Sequence, residues 1–324
     1  MKMGYKDLMF DKNARFLVTG GAGFIGSNLC QAILDLGYKV RCLVDRDGNS
    51  VRKNILHLQD NPNFEITECD IRSYEDCLGA CQGADFILHH AACGSPRVDM
   101  PLLYEEVNVK GTLNMMEAAR RTGVEKFVYA SSASVYGDDS SSFKREDIVG
   151  NIISQYALTK RINEDYGRLY HGLYGLDTYG LRYFNVFGKR QDVNSGFIIP
   201  RFIMNLLSGE RTVLYGDGTQ SRDFVYIDDI VQANLRACAA PSEAGGQVYN
   251  VAYGEGRQLL DIYRHISALL KKDIEPVFGS EHGSDVKHSR ADISKAGRLL
   301  GYAPEWSFER GIEETVKWYE NIKS

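Results

Sequence analysis

The chain has 324 residues, 44% of them hydrophobic and 25% charged, which is typical of a globular protein with a large core. Its formal net charge of −5 argues against a nucleic-acid-binding surface, and no apolar run reaches the roughly 18 residues of a transmembrane helix. The N-terminal sequence lacks the apolar stretch of a secretory signal. The 7 cysteines form no Cys-x-x-Cys pair, so we predict no metal site and expect a reducing, cytoplasmic setting.

Short β-branched segments alternate with longer helical patterns through the first half of the chain. They predict strands at residues 16–18, 40–44, 64–68, 86–89, 127–130 and 178–182, and helices that include 102–121 and 156–170. Strict alternation of strand and helix predicts an α/β fold with a doubly wound parallel sheet, a Rossmann domain, at 14–185. Beyond it, shorter elements between glycine-rich turns predict a smaller α/β lobe at 186–324, with 222–240 returning to the first domain.

A glycine-rich turn lies between the first predicted strand and the first helix. Glycines at 21, 23 and 26 match the pattern Gly-x-Gly-x-x-Gly, which lets the backbone turn tightly and approach a pyrophosphate at a helix N-terminus. Asp45 ends the second predicted strand, where a carboxylate accepts hydrogen bonds from ribose hydroxyls and repels a 2′-phosphate. We therefore predict NAD rather than NADP, although the positive charge of Arg46 would favour the 2′-phosphate of NADP. The turn residues predicted to bind it are Gly20, Gly23, Phe24, Ile25 and Gly26.

Tyr156 and Lys160 lie one turn apart in a predicted helix and therefore face the same side of it. Because a tyrosine has a pKa near ~10, acting as a base at neutral pH requires roughly 4 kcal/mol of stabilisation of its phenolate. A lysine ammonium and a positively charged nicotinamide ring would supply that stabilisation. Ser132 follows the fifth strand, at the edge of the sheet where ligands bind, and would hold the substrate oxygen. A solvated Tyr-Lys pair is the alternative, but the upstream glycine turn favours hydride transfer at a hydroxyl group.

Motifs along nearly the whole chain resemble those of the extended short-chain dehydrogenases/reductases. Within this family the chain is most similar to the UDP-N-acetylglucosamine 4-epimerases. The matching stretches include TGGAGFIGSNL from residue 19, YASSASVYG from 129, QYALTK from 155 and GDGTQSRDFVYIDD from 216. The resemblance implies NAD that stays bound during turnover, a UDP-sugar substrate, and a homodimer formed by the helices that begin near Leu102 and Tyr156.

The resemblance also implies further binding roles, carried over by position. Cofactor contacts are implied for Tyr156 and Lys160 and for Asp70, Ile71, Ala91, Ala92, Asn108, Tyr183 and Phe184. Substrate contacts are implied for Gly94, Ser95, Ser132, Asn185, Tyr215, Arg222, Asp285 and Ser289. Without the resemblance, Asp70 and Ile71 could equally well cap the third strand without contacting a cofactor. Arg222 beside Asp223 would then suggest a local salt bridge.

A few positions distinguish the chain from related enzymes with other reactions. Nucleotide-sugar dehydratases carry an Asp-Glu pair where this chain has Ala133 and Ser134, and uronic-acid decarboxylases tend to carry a glutamate at the second position. Asn185 and Asp192 stand where uronic-acid 4-epimerases have Thr and Arg. Ser289 stands where relatives that accept only plain hexoses have a bulky Tyr. Its small side chain leaves room for an N-acetyl group. We therefore predict 4-epimerisation of UDP-GlcNAc and UDP-GalNAc, with UDP-glucose and UDP-galactose as further substrates.

Two departures from the family pattern bear on the substrate. The loop at 94–101 is shorter than usual, and His282 stands where relatives carry an arginine that binds the diphosphate. Because histidine is only partly charged at neutral pH and lacks a bidentate fork, we expect weaker or more pH-dependent nucleotide binding, unless Arg97 or Lys287 compensates. The alternatives are a UDP-glucuronate 4-epimerase or decarboxylase, net reduction of a keto sugar, and a non-catalytic NAD-binding regulator.

Overall fold

The computed structural model describes residues 5–46, 52–94, 100–193, 196–280 and 287–323. Ser95, His282 and Asp285 lie outside these ranges, as does most of the loop at 94–101, and the roles assigned to them stay predictions. Within the described ranges, no helix combines the length and the apolar character needed to cross a membrane.

A seven-stranded sheet forms the centre of the molecule, and every strand pairing within it is parallel. Its strands are β1 Arg15–Thr19, β2 Lys39–Val44, β3 Phe64–Glu68, β4 Phe86–His89, β5 Lys126–Ser132, β7 Asp177–Tyr183 and β11 Gln247–Val251. They are ordered β11-β7-β5-β4-β1-β2-β3, so the chain reverses its direction across the sheet between β1 and β4. This confirms the predicted doubly wound α/β fold and places the ligand-binding crevice at the carboxyl ends of β1 and β4.

Helices cover both faces of this sheet, and three further helices in the second half of the chain pack against one another. The helices are α1 Phe24–Asp35, α2 Tyr74–Cys81, α3 Pro101–Tyr104, α4 Gly111–Thr122, α5 Gln155–Tyr174, α6 Ile198–Ser208, α7 Ile227–Ala239, α8 Leu259–Leu269, α9 Ser294–Leu300 and α10 Phe308–Lys323. The segment predicted as one helix at 102–121 is α3 and α4 joined by a π-helical stretch, Glu105–Lys110. Wider turns of this kind are common at functional sites, because they shift the side chains that follow.

The buried strands supply two separate cores because their side chains alternate between the faces of the sheet. In β1, Phe16 and Val18 pack into the core beneath α1 and α7, whereas Leu17 packs into the core beneath α2, α4 and α5. β4 repeats the pattern, with Leu88 in the first core and Ile87 in the second. The sheet is therefore rigid at its centre, and its strand ends are fixed points from which side chains can be positioned.

Shorter strands outside the large sheet come mainly from the second half of the chain. The short strands are β6 Phe143–Lys144, β8 Asn185–Phe187, β9 Val213–Tyr215, β10 Ser221–Tyr226, β12 Gly256–Gln258, β13 Val277–Gly279 and β14 Arg290–Ala291. They pair as β12-β10-β8, β13-β9 and β14-β6. Two elements of this half join the large sheet instead: β11 pairs with β7, and α7 packs against α1 and β7. The division into domains near residue 185 stays a prediction.

Candidate functional site

The glycine turn brings the chain back on itself between β1 and α1. A Cβ atom at Gly26 would lie 2.2 Å from the carbonyl oxygen of Gly20, so only glycine fits there. Gly20 itself has φ 63°, and a Cβ there would lie 2.9 Å from the backbone nitrogen of Ala91. Gly23 caps α1, whose first residues are Phe24 and Ile25 and whose N-terminus has no side-chain cap. Backbone N–H groups and the positive end of the helix dipole are thus available to a pyrophosphate.

A cleft of about 380 Å³ opens beside this turn, at the carboxyl ends of β1 to β4. Predicted cofactor residues from distant parts of the sequence line it together: Gly20, Gly23, Asp45, Asp70, Ile71, Ala91 and Ala92. Arg46 also lines the cleft, but its guanidinium lies 2.9 Å from the carboxylate of Asp76, and Arg72 lies 2.7 Å from Asp70. Because both arginines are engaged by carboxylates, the cleft fits the ribose of NAD better than a 2′-phosphate.

Asn108 lies behind the wall of this cleft, in the π-helical stretch, and its side chain is fully buried. Its Oδ1 accepts a hydrogen bond of 2.7 Å from the backbone nitrogen of Cys93, and its Nδ2 donates to the Cys93 carbonyl at 3.1 Å. The same Nδ2 also donates to Thr159 Oγ1, at 3.2 Å. Asn108 therefore joins the chain that follows β4 to the helix α5.

Ser132, Tyr156 and Lys160 come together at the carboxyl end of β5. The Lys160 ammonium is buried, donates to the Ala130 carbonyl at 2.8 Å and lies 5.7 Å from the centre of the Tyr156 ring. Burial raises the pKa of Tyr156 to about 12, although a hydrogen bond with Ser132 opposes the shift. Burial lowers the pKa of Lys160 to about 8. Lys160 is therefore charged at neutral pH, and Tyr156 remains protonated until further positive charge arrives.

Tyr183 and Phe184, the two predicted nicotinamide neighbours, end β7 and follow it. The Tyr183 hydroxyl lies 2.9 Å from His90 Nε2 and accepts a hydrogen bond of 2.8 Å from Asn234 Nδ2. The rings of Tyr183 and His90 stack, with centroids 5.9 Å apart. Phe184 packs against Tyr136 at the junction between the large sheet and the small strands. Both aromatic side chains are buried, and the Tyr183 hydroxyl is held by His90 and Asn234.

The predicted substrate residues fall into a smaller group around β10. Arg222 Nη1 donates to the carbonyls of Ser221 (2.9 Å) and Lys287 (3.3 Å), and the backbone nitrogen of Ser289 donates to the Ser221 carbonyl. Asn185 lies on the neighbouring strand, where its Nδ2 donates to the carbonyl of Asp223. The structure thus brings Arg222, Ser289 and Asn185 near one another; Tyr215, on β9, and Gly94, after β4, are exposed.

Asp223 is a structural residue that the sequence suggested would pair with Arg222. Instead its carboxylate is fully buried and accepts hydrogen bonds from the backbone nitrogens of Tyr253, Gly254 and Ala291. Burial raises its pKa to about 7, against the opposing effect of those amides. Asp223 therefore ties β10 to two other segments, at 253–254 and at 291, and no local sequence pattern predicts this role.

A second buried group that sequence analysis did not identify lies behind the predicted catalytic residues. Arg182 on β7 forms a bidentate pair with Glu164 on α5, at 2.8 and 2.7 Å, and both side chains are buried. Ser131, the neighbour of Ser132, donates to the same carboxylate at 2.6 Å. Glu164 lies one helical turn beyond Lys160, so this spacing was a signal that sequence reasoning could have used. The pair fixes α5 against β5 and β7 directly behind Tyr156 and Lys160.

The 7 cysteines all lie within the described ranges and form no disulfide bond there. Cys77 and Cys81 lie on the buried face of α2. Among the described residues, no three His, Cys, Asp or Glu side chains group as metal ligands do.

A parallel sheet with a dinucleotide cleft at its switch point and a Tyr-Lys pair beside it places the chain among the extended short-chain dehydrogenases/reductases. Residues 16–252 match the model of the "NAD dependent epimerase/dehydratase family", and the chain belongs to that family. Its cofactor is accordingly NAD, as predicted.

Its relatives include several sugar-nucleotide epimerases. The UDP-glucose 4-epimerase of Mycolicibacterium smegmatis is 37% identical over 95% of this chain and 99% of its own length. Among solved structures, the UDP-N-acetylglucosamine 4-epimerase of Methanobrevibacter ruminantium, in complex with UDP-N-acetylmuramic acid, has a TM-score of 0.89 at 35% identity, over 96% of this chain and 99% of that one. The UDP-glucuronic acid 4-epimerase of Bacillus cereus, in complex with UDP-glucuronic acid and NAD, has a TM-score of 0.86 at 32% identity, over 95% and 99%.

Proposed function

We propose that the protein is a UDP-sugar 4-epimerase that interconverts UDP-GlcNAc and UDP-GalNAc, with UDP-glucose and UDP-galactose as further substrates. The observation that carries this proposal is the group Ser132, Tyr156 and Lys160 beside the dinucleotide cleft, without an acidic residue at the positions that follow Ser132. The solved UDP-N-acetylglucosamine 4-epimerase at 35% identity supports an acetylated sugar as the first choice.

The residues at this site support proton transfer at a sugar hydroxyl. NAD, when bound, supplies the hydride acceptor for carbon 4 and a positive charge beside Tyr156. The Tyr156 oxygen takes the proton of the 4-hydroxyl while Ser132 holds the same sugar oxygen by a hydrogen bond. Lys160, charged at neutral pH, stabilises the phenolate. After the keto sugar has turned, carbon 4 regains the hydride on its opposite face and Tyr156 returns the proton to the oxygen, so the configuration of carbon 4 is inverted.

The residues after Ser132 favour plain epimerisation over elimination or decarboxylation. Ala133 and Ser134 begin a short 3-10 helix, Ala133–Tyr136, and the backbone nitrogen of Ser134 donates to Ser132 Oγ at 3.1 Å. Neither side chain can exchange a proton with carbon 5 or 6 of a sugar near neutral pH. A UDP-glucuronate 4-epimerase stays the second candidate, since the Bacillus cereus enzyme has the same fold at 32% identity.

The experiment that tests the proposal uses the purified protein without added NAD. UDP-GlcNAc is supplied, and the anomeric proton of the sugar is followed by NMR spectroscopy. Appearance of UDP-GalNAc supports a 4-epimerase with a retained cofactor and room for the N-acetyl group. Conversion of UDP-glucose or UDP-glucuronate alone would overturn the choice of sugar, and conversion of none of the three would overturn the proposed reaction.

Enlarging Ser289 should narrow the range of sugars. Ser289 is partly exposed and follows the bridge that joins Ser221 to His288, beside Arg222 on β10. For Ser289→Tyr we expect kcat/KM for UDP-GlcNAc to fall at least about tenfold more than kcat/KM for UDP-glucose, which corresponds to about 1.4 kcal/mol. Ser289→Ala, which keeps the space open, serves as the control. Equal losses on both sugars would show that this position does not sense the N-acetyl group.

We also propose a homodimer formed through the outer face of α5. Leu158, Ile162, Tyr166, Leu169 and Leu173 recur at helical spacing along it, and we call them the α5 stripe. Leu158 is 47% exposed, Leu169 47% and Leu173 64%. A monomer rarely leaves so long an apolar stripe in water, and a twofold axis would bury it against its own copy. We also propose a cytoplasmic location, supported by six cysteines that are buried as free thiols: Cys30, Cys42, Cys69, Cys77, Cys81 and Cys238.

Charges on the α5 stripe should break this dimer. In Leu169→Glu/Leu173→Glu, carboxylates would be buried or would face their own copies, so we expect dimerisation to weaken at least about a hundredfold. Light scattering across a concentration series measures the change. Met9→Glu is the matched control, because Met9 is 82% exposed away from the stripe. A monomeric wild type, or an unchanged double variant, would contradict the proposed interface.

A further inference from the structure

A continuous chain of buried hydrogen bonds runs from the glycine turn to the catalytic helix through His89. Thr19 Oγ1, at the end of β1, lies 2.9 Å from His89 Nδ1, and His89 Nε2 lies 3.0 Å from Thr112 Oγ1 on α4. Thr112 in turn bonds to the Asn108 carbonyl at 2.6 Å and to Asn163 on α5 at 3.2 Å. All of these side chains are buried. Distances alone do not say which ring nitrogen of His89 carries the proton, but the partners decide it.

The partners of Thr19 fix the proton at one end. Thr19 Oγ1 accepts hydrogen bonds from the backbone nitrogens of His90 (3.0 Å) and Ala91 (2.9 Å). A hydroxyl oxygen has two lone pairs and one proton, so both acceptor positions are filled. Thr19 must therefore donate its own proton to His89 Nδ1, and that nitrogen carries no hydrogen.

The partners of Thr112 lead to the same result from the other end. A backbone carbonyl only accepts, so the Thr112 proton points at the Asn108 oxygen. Thr112 Oγ1 is then an acceptor toward both the Asn163 amide and His89 Nε2. His89 Nε2 must carry the proton, which agrees with the assignment made from Thr19.

We propose that His89 is a positioning residue, held as a neutral imidazole with its proton on Nε2, that couples the wall of the cofactor cleft to the helix bearing Tyr156 and Lys160. Its Nδ1 end orients Thr19, which holds the backbone of His90 and Ala91 beside Gly20. Its Nε2 end orients Thr112, which holds the carbonyl of Asn108 and, through Asn163, the helix α5.

A charged His89 does not fit this chain. A proton added at Nδ1 would point at the Thr19 proton, because Thr19 has no lone pair left to accept it. Burial, with smaller effects from Lys160 and His90, accordingly lowers the pKa of His89 to about 3. A histidine side chain ordinarily titrates near neutral pH. At position 89 the surroundings instead keep it uncharged, as a donor at one ring nitrogen and an acceptor at the other.

The first test is spectroscopic and does not depend on activity. In protein with 15N-labelled histidine side chains, we expect the ring of His89 to show the neutral form with hydrogen on Nε2 and to keep it between about pH 5 and pH 8. Absence of that signal in His89→Gln assigns it. If the signal that disappears in His89→Gln titrates in this interval, or shows hydrogen on Nδ1, the proposal is overturned even if the proposed epimerase reaction is correct.

The second test measures the coupling, and its kinetic part alone rests on the proposed function. Thr112→Val keeps the shape of Thr112 but removes the acceptor for His89, so we expect NAD to dissociate about tenfold faster and kcat to fall about tenfold, with KM for the UDP-sugar little changed. Thr112→Ser retains the hydroxyl and should restore both values. Thr122→Val, at the end of the same helix, removes a hydroxyl that bonds only to its own helix and is the matched control.

NAD release is read from cofactor absorbance and needs no substrate. Failure of the proposed epimerase reaction would therefore leave this readout intact. Unchanged NAD dissociation in Thr112→Val would overturn the coupling.

Discussion

Tyr156→Phe is expected to lose at least about a thousandfold in kcat while keeping NAD bound, because a positioned acid-base group typically contributes 10²–10⁴-fold. The substitution removes only the hydroxyl that takes the sugar's proton. The ring stays in place, since it packs near Tyr104 with centroids 6.4 Å apart. Lys160 also stays, held by its bond to the Ala130 carbonyl.

The measurement compares initial rates of UDP-sugar epimerisation with the NAD content of the same sample. Tyr174→Phe is the matched control, because Tyr174 is the exposed last residue of the same helix and lies outside the α5 stripe; its rate should equal that of the wild type. If Tyr156→Phe keeps a tenth or more of the wild-type rate with NAD bound, another group takes the proton and the proposed mechanism is wrong.

The protonation states at this site explain why Tyr156 would act only in the complex. Burial raises its pKa to about 12, so the phenolate is scarce at neutral pH without further positive charge. Lys160, with its pKa lowered to about 8, holds its proton below that pH and loses it above. Its support for the phenolate is therefore present through the neutral range, and the nicotinamide ring adds the rest when NAD is bound.

Glu164→Gln is expected to lower the free energy of unfolding by about 3–5 kcal/mol, because it leaves a buried guanidinium without a counter-charge. The side chains of Arg182 and Glu164 are only 2% and 6% exposed, so water cannot replace the lost partner. Ser131 would also lose its carboxylate acceptor, next to Ser132. We therefore expect lower epimerase activity as well as lower stability. Urea unfolding at a fixed, saturating NAD concentration measures the change in the free energy of unfolding.

Two further variants show whether burial is the cause. Glu314→Gln breaks an exposed ion pair, in which the Glu314 side chain is 47% exposed and the Lys317 side chain 62%. This substitution should lower the free energy of unfolding by less than about 1 kcal/mol. Glu164→Leu/Arg182→Met replaces both buried charges and should recover most of the loss seen in Glu164→Gln, since no unpaired charge remains. A loss below about 1 kcal/mol in Glu164→Gln would mean that the pair contributes no more than a surface pair.

The fold could be predicted well where its signal is local. Two of the six predicted strands, 64–68 and 86–89, have the bounds that the structure gives them. The other four strands of the structure extend one or two residues beyond the prediction, at one or both ends. β11 was missed because its five residues carry little pattern of their own, and it is a strand of the large sheet only through its pairing with β7. The π-helical stretch before α4 was also missed, since its residues form an ordinary helical pattern.

The sequence by itself determined the parts of this protein whose chemistry depends on the spacing of a few neighbouring residues. The glycine turn and the Tyr156–Lys160 pair follow from residue types a few positions apart, where a helix or a tight turn leaves little freedom. Only the tertiary structure decided the partners of His89, Glu164 and Asp223, because each binds groups far away in the chain; Thr19 and His89, for example, are 70 residues apart. Burial removes the water that would otherwise satisfy these groups, and only the fold decides which groups are buried together.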